Sequence, residues 1–375
     1  MKIKEFIKEN QEGLFELLRE LCAIPAPSHF EGDRANFCKE WLERQGAEGV
    51  YIDDALNVIF PINCEGSNSI TVFVAHTDTV FPDREPMPYK DDGVCVYSPG
   101  VGDDTASLAV LLYSAKYFIE NGIEAPSGLM LVCNSCEEGL GNLKGTRQIF
   151  KDLEGRIARF ISFDGKLSRI ADRCVGSHRY KVEIATEGGH SYGAFGNRNA
   201  IAELAAMINE IYSIEVPVIN GSRTTYNVGI VEGGTSVNTI AQNASMLCEY
   251  RSDNEKCLDI MRGHFERIFG EARARGVDLS VELVGERPCM GNVDTEEIER
   301  LATLCTEGIE SVADIKVGRG SSSTDCNIPL SLGVPAICMG VYVGGGAHTR
   351  GEWVRKDSLP VGLEVAIKSI SRVVG

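Results

Sequence analysis

The sequence predicts an α/β protein, a central sheet flanked by helices into which a smaller ferredoxin-like α+β domain is inserted. Three observations predict it. Several apolar, β-branched stretches of strand length run out into polar turns rich in acids and glycine, as strands do at the edge of an α/β sheet. Between residues 177 and 287 the texture changes to alternating strands and amphipathic helices in the order β-α-β-β-α-β. The 375 residues also exceed what one hydrophobic core usually serves, so two domains are expected, residues 1–176 with 288–375, and residues 177–287.

The opening MKIKEFIKENQEGLFELLRELCAI places Ile3, Phe6, Ile7, Leu14, Leu17 and Leu18 at helical intervals between charges. It lacks the apolar run of an export signal, and no stretch is long and apolar enough to span a membrane, so a cytoplasmic protein is expected. The proline-punctuated loop IPAPSHFEG leads into a second helix over 33–45, with Phe37, Trp41 and Leu42 on its apolar side; His29 in the loop reads as a surface residue. Strand-like segments over 49–52 and 57–60 precede SITVFVAHTD, Ser69–Asp78. This stretch reads as a buried strand that delivers His76 to the edge of the sheet, with Asp78 close enough to orient its imidazole.

In SPGVGDDTASLAVLLYSAKYFIENG, Gly100 and Gly102 free the backbone to turn, and Asp103 and Asp104 stand where a helix begins, backed by Leu108, Leu111, Leu112 and Ala115. One of the pair reads as a helix cap; two beside a glycine-rich turn also suit a carboxylate that bridges two cations, one on each oxygen. GLMLVCNSCEE ends a second apolar strand on Glu137 and Glu138, adjacent carboxylates that repel one another unless a positive charge lies beside them. Incidental acids on an exposed loop are the alternative, but RFISFDG repeats the habit and ends on Asp164.

The inserted domain is built from RYKVEIATEGG, NRNAIAELAAMINEIYS, TTYNVGIVEGG, ASMLCEYRS, a helix over 255–274 and DLSVELVGE. It carries His190 in GGHSYGAF, Asn238 in GGTSVNTI and Arg251 at a strand end, each of which alone is more often a turn or surface residue than a substrate ligand. Beyond Pro288 the first texture returns. VDTEEIERLATLCTEGI is a helix, GVPAICMGV is an apolar strand entering the loop YVGGGAHTRGEWV with His348, and residues 357–373 form a closing helix.

A net charge of -17 argues against nucleic acid or an anionic membrane as partner, because both require a positive face. Thirteen scattered cysteines, an odd number, read as reduced and packed thiols. The one CxxC, Cys133 with Cys136, lacks the second ligand pair of a zinc ribbon and reads as structural.

His76, Asp103, Glu138, Asp164 and His348 together offer two imidazoles and three carboxylates from separate loops at one sheet edge. If Asp103 bridges, each of two divalent metals gains one further carboxylate and one histidine, a mixed N/O set suited to zinc and its competitors. Three anionic ligands leave two such ions one net positive charge, enough to hold a hydroxide as nucleophile. Glu137 would take the water's proton and deliver it to a leaving amine.

HTDTV, GVGDDTAS, CEEGLGNLKG, FDG, GGHSYGAF, NVGIVEGGTSVNTIAQNA, STD and AHTRGEWV, in this order and over nearly the whole chain, resemble the M20 metallopeptidases, the family of peptidase T, carboxypeptidase G2 and the acetylornithine and succinyl-diaminopimelate deacylases. The resemblance implies a zinc-peptidase-like catalytic domain with a mixed central β-sheet flanked by helices, plus a ferredoxin-like lid and dimerisation domain. It implies two zinc ions per subunit, replaceable by cobalt or manganese, with His76 and Asp164 on one, Glu138 and His348 on the other, Asp103 between them and Asp78 orienting His76. Glu137 becomes the general acid/base. His190 would cross a homodimer interface to the neighbouring subunit's site, Asn238 and Arg251 would hold a substrate carboxylate, and a cis peptide is implied between Asp103 and Asp104. Thr105 stands where many members have lysine, which leaves the subfamily open. The expected activity is cleavage of short peptides in the manner of peptidase T, an aminopeptidase or tripeptidase; the alternatives are a deacylase or carboxypeptidase of N-acyl amino acids and a catalytically silent metal-binding scaffold.

Overall fold

The computed structural model describes residues 2–122 and 125–375. It divides into two compact units, Met1–Cys174 with Gly291–Gly375, and Val175–Met290. In chain order the first unit contributes helices α1 (Ile3–Cys22) and α2 (Gly32–Arg44), strands β1 (Tyr51–Ile52), β2 (Val58–Ile62) and β3 (Ile70–His76), the short β4 (Lys90–Asp91) and β5 (Cys95–Tyr97), helix α3 (Ser107–Asn121), β6 (Gly128–Asn134), α4 (Lys144–Asp152), β7 (Ile157–Phe163) and β8 (Arg169–Cys174). The second unit follows with β9 (Gly176–Ala185), β10 (Gly189–His190), α5 (Ala200–Tyr212), β11 (Thr224–Gly233), β12 (Thr239–Ile240), β13 (Asn243–Ser252), α6 (Glu255–Ala274) and β14 (Asp278–Arg287). The first then resumes with α7 (Thr295–Glu310), β15 (Gly318–Ser322), α8 (Asn327–Ser331), β16 (Ala336–Met339), β17 (Gly344–Gly345), β18 (Trp353–Arg355) and α9 (Ser358–Val374).

Among the described residues the main sheet has the order β1-β2-β6-β3-β7-β16-β8-β15. It is mixed. β3 runs parallel to β6 and β7, and β7 to β16, while β2 and β8 join antiparallel. Every residue of β3 and β6 is buried, so these two read in the sequence as unbroken apolar runs rather than alternating ones. Helices α1, α3, α7 and α9 pack on one another and against the sheet.

Two local readings change. The aspartate pair does not open α3: the helix starts at Ser107, and Asp103 and Asp104 lie in a non-helical turn ahead of it, joined by a cis peptide. A small sheet, β17-β18-β5-β4, and the strands β8 and β15 had no clear sequence signature, because β4, β5, β17 and β18 are two or three residues long and β15, GRGSS, is glycine and serine.

The second unit is an antiparallel sheet of order β11-β13-β9-β14 with α5 and α6 on one face. Alternation explains it. Val182, Ile184, Ala244, Met246, Cys248 and Tyr250 point inward against Leu204, Met207, Met261 and Phe265, while the intervening residues face out. Asn199 and Asn254 cap the two helices with their side-chain oxygens. All thirteen cysteines are free thiols. No helix among the described residues is long and apolar enough to cross a membrane.

Candidate active site

Because β3, β6 and β7 are neighbours and parallel, their carboxyl ends open on one edge of the sheet, where α/β proteins assemble sites. There β3 ends on His76, β6 leads into Glu137 and Glu138, and β7 leads into Asp164. The turn before α3 adds Asp103, and the loop between β17 and β18 adds His348, which sits at φ 62. Asp103 lies at the centre. Its Oδ1 is 3.1 Å from His76 Nε2 and its Oδ2 is 3.1 Å from His348 Nε2, while His348 Nε2 lies 3.3 Å from Glu138 Oε1. Ligand atoms of His76, Asp103 and Glu138 fall within 4.8 Å of one another, as do those of His76, Asp104 and Asp164.

The acids crowd one another away from water. Burial pushes Glu138 up to about 7, with the charges of Asp103 and Glu137 adding to the effect against a hydrogen bond from His348. Burial and the charge of Asp103 hold Asp164 well above its ordinary range. Burial acts the same way on Asp103, but hydrogen bonds from His348 and His76 overcome it and lower its value. Those contacts raise His348 to about 10, and they outweigh burial at His76 to raise it as well. Among the described residues the buried carboxylate oxygen Asp104 Oδ1 has no hydrogen-bond donor. An unpaired buried carboxyl oxygen, two imidazoles and several crowded carboxyl groups in one pocket are a donor set that fits divalent cations.

Asp78 does more than face His76. Its main-chain carbonyl is the hydrogen-bond partner of His76 Nδ1 at 3.0 Å, with Oδ1 at 3.4 Å from the same nitrogen; Oδ1 accepts the Glu137 backbone N–H and Oδ2 the Glu138 N–H, each at 2.9 Å. One residue therefore orients the histidine through its carbonyl and the paired-glutamate turn through its carboxylate. Glu137 itself is 6% exposed.

Three further residues support the cluster: Glu352, which the sequence reading did not name, and Asp104 and Asp325, which it named or quoted in a motif without a separate role. Glu352 accepts backbone N–H groups from Gly100, Gly102 and Asp103 at 2.7, 3.1 and 2.8 Å, which fixes the turn that presents Asp103. A Cβ on Gly102 would meet Glu352 Oε1 at 2.8 Å, so that approach requires glycine. Asp104 uses Oδ2 to accept the His76 N–H at 3.1 Å. Asp325, in the STD motif, is fully buried, accepts Asn134 Nδ2 at 2.7 Å and is pushed up to about 7 by burial. Position beside Asp103 was a signal for Asp104; Glu352 had none, since its partners are backbone groups some 250 residues away.

His190, Asn238 and Arg251 belong to the second unit. There β10 pairs with β12, matching His190 with Thr239, and the Ser191 N–H donates to the Asn238 carbonyl at 2.9 Å, so the first two residues share one loop cluster. Arg251 donates to Glu249 from Nε and Nη2 at 2.7 and 3.0 Å.

A model of Peptidase family M20/M25/M40 matches residues 72–372. The chain belongs to this family. As an M20 peptidase relative it is a hydrolase, and the resemblance read from its motifs holds. Among curated proteins it is 23% identical to the uncharacterized protein YqjE of Bacillus subtilis, over 96% of this chain and 98% of that one. It is 24% identical to the succinyl-diaminopimelate desuccinylase of Bordetella parapertussis, over 73% and 76%. Among solved structures, a tripeptidase from Staphylococcus aureus superposes with a TM-score of 0.75 at 20% identity, over 97% of this M20 chain and 98% of that one.

Proposed function

We propose that this M20 protein is a two-metal hydrolase that cleaves the amide bonds of short peptides as an aminopeptidase or tripeptidase. The observation that carries it is Asp103, whose two oxygens face different imidazoles while Glu138 and Asp164 flank them. His76 and Asp164 would hold one ion, Glu138 and His348 the other, with Asp103 shared; the N/O donors favour zinc, with cobalt or manganese as substitutes. When bound, such ions supply Lewis-acid polarisation of the scissile carbonyl and acidify water. Asp78 keeps His76 in one orientation and fixes the backbone from which Glu137 projects. Glu137, buried and beside the cluster, takes a proton from the attacking water and passes it to the departing amine.

The second unit enters this reading as lid and dimer contact. Tyr192 and Phe195 are each 90% exposed on the loop that carries His190, a surface suited to a second copy of the chain. In the dimer His190 steadies the developing oxyanion of the neighbouring site, and Asn238 with Arg251 receives the substrate carboxylate. The cytoplasm is the expected compartment, in keeping with thirteen free thiols.

The desuccinylase relative favours a second reading, a deacylase or carboxypeptidase of N-acyl amino acids. One experiment separates the possibilities: metal content by elemental analysis, and turnover on a panel of di- and tripeptides against acyl-amino acids. Two ions per chain with peptide turnover is expected. Turnover confined to acyl-amino acids replaces the first reading by the second, and full activity after metal stripping removes both. A silent scaffold predicts no turnover on any member of the panel.

A further inference from the structure

We propose that the segment entering α2, through Ser28, Glu31 and Arg34, is a positioning device that sets three ligand-bearing loops relative to one another; this rests on the metal reading of the site. It lies ahead of residues 72–372, the stretch that the family model matches. Ser28 Oγ donates to Asp78 Oδ2 at 2.6 Å and to the Glu138 carbonyl at 3.3 Å. Glu31 Oε1 accepts from the Cys136 backbone N–H at 3.0 Å and from its thiol at 3.1 Å, immediately before the paired glutamates. Arg34 Nη1 donates to the Thr77 carbonyl at 2.9 Å, between His76 and Asp78, and to Thr105 Oγ1 at 3.4 Å, two residues past Asp103. Its Nη2 donates to the carbonyls of Leu21 and Ile24 at 2.8 and 2.6 Å, anchoring the cation to the end of α1. The Thr79 N–H closes the set by donating to the Ala26 carbonyl at 2.8 Å.

The placement is costly and specific. Glu31 is 0% and Arg34 1% exposed, and burying ionised groups without good partners is strongly unfavourable. Arg34 donates to carbonyls and a hydroxyl, none of them charged, so its hydrogen bonds tie chain segments together rather than form an ion pair. A planar guanidinium fixes directions that a lysine ammonium leaves free. Apart from the anchoring carbonyls of Leu21 and Ile24, each residue these three side chains contact is an expected metal ligand or Asp78, or lies within two positions of one, so a shift in this segment moves several ligands at once. Partners that orient ligands in this way typically change metal affinity or activity by about 10–100-fold when removed.

The test compares Ser28→Ala, Glu31→Gln and Arg34→Lys with the wild-type chain. It measures thermal unfolding of the metal-free protein, zinc affinity by titration against a chelator, and kcat and KM on one peptide. A positioning role predicts zinc affinity lowered by about 10-fold or more in Ser28→Ala and Glu31→Gln, kcat lowered with KM within about twofold, and metal-free unfolding temperatures close to wild type. Wild-type zinc affinity and kcat in those two variants overturn the proposal, as does a loss seen only in metal-free stability. Should Arg34→Lys not fold, Ser28→Ala and Glu31→Gln decide. A wild-type chain that binds no zinc instead overturns the reading of the site itself.

Discussion

The two units treat charge in opposite ways. In the second, the outward sheet face pairs its acids with bases along and across strands, Glu249 lying 3.1 Å from Arg179 and 2.7 Å from Arg251 and Glu183 2.8 Å from Lys181, and Glu286 of β14 lies 3.3 Å from Arg262 of α6. In the first, Asp78, Asp104, Glu137, Glu138 and Asp325 are buried with Asp103 and Asp164 beside them, and the basic groups paired with this cluster are the imidazoles of His76 and His348. Surface pairs of the first kind contribute little, about 0–1 kcal/mol each. A buried excess of carboxylate is different, because it persists only where something positive is to be held. The contrast places the candidate site in the first unit.

The largest expected effect comes from removing what the acids are arranged to hold. Chelator-stripped protein should lose amide turnover to below detection and recover it on adding back zinc, followed on a tripeptide. Retained turnover would erase the distinction between the units. Next, Glu137→Gln should lower kcat by about 10²–10⁴-fold while elemental analysis finds the metal content unchanged. If the ions are lost along with activity, Glu137 belongs to the ligand set and not to proton transfer.

A pH effect of intermediate size follows from the crowding. Burial pushes Glu138, Asp325 and Glu352 up to about 7 from ordinary carboxylate values. A carboxyl whose folded value is raised binds its proton more tightly when folded, so its contribution is complete below the unfolded value and is lost as pH rises through the folded one. Metal-free protein should therefore melt several degrees lower at pH about 7.5 than at pH about 5. Glu352→Gln, which cannot ionise, should flatten that slope; an unchanged slope in calorimetry would count against a protonated Glu352. The smallest effect belongs to the paired surface. Arg251→Lys breaks the two-pronged contact with Glu249 and should alter the melting temperature by about a degree or less, while raising KM for substrates with a free carboxylate about 10-fold. An unaltered KM removes Arg251 from recognition.

Much of the candidate site could be read in the sequence because its residues sit where apolar strands end. His76, Glu138 and Asp164 announce themselves by position, since His76 closes β3 and the two acids closely follow the mostly apolar β6 and β7, at the edge of the sheet. The inserted unit could be read from alternation, because one face of its sheet is wet. Other features had no local pattern to betray them. β15 is held by its pairing with β8, since its own residues have little strand preference. The loop before α2 read as an ordinary surface turn, and His29 is indeed exposed there. Yet Glu31, two residues on, is fully buried against Cys136.

By itself, then, the sequence determined which segments become strands and which polar residues stand at their ends, because burial on both faces imposes an apolar run and a turn imposes glycine and acid. Only the tertiary structure decided that Asp103 faces two imidazoles at once, that Glu352 grips its turn, and that Ser28, Glu31 and Arg34 reach three separate loops. Those contacts join residues far apart in the chain through backbone carbonyls and N–H groups, and such groups are the same in every residue, so no side-chain pattern foretells which of them will meet.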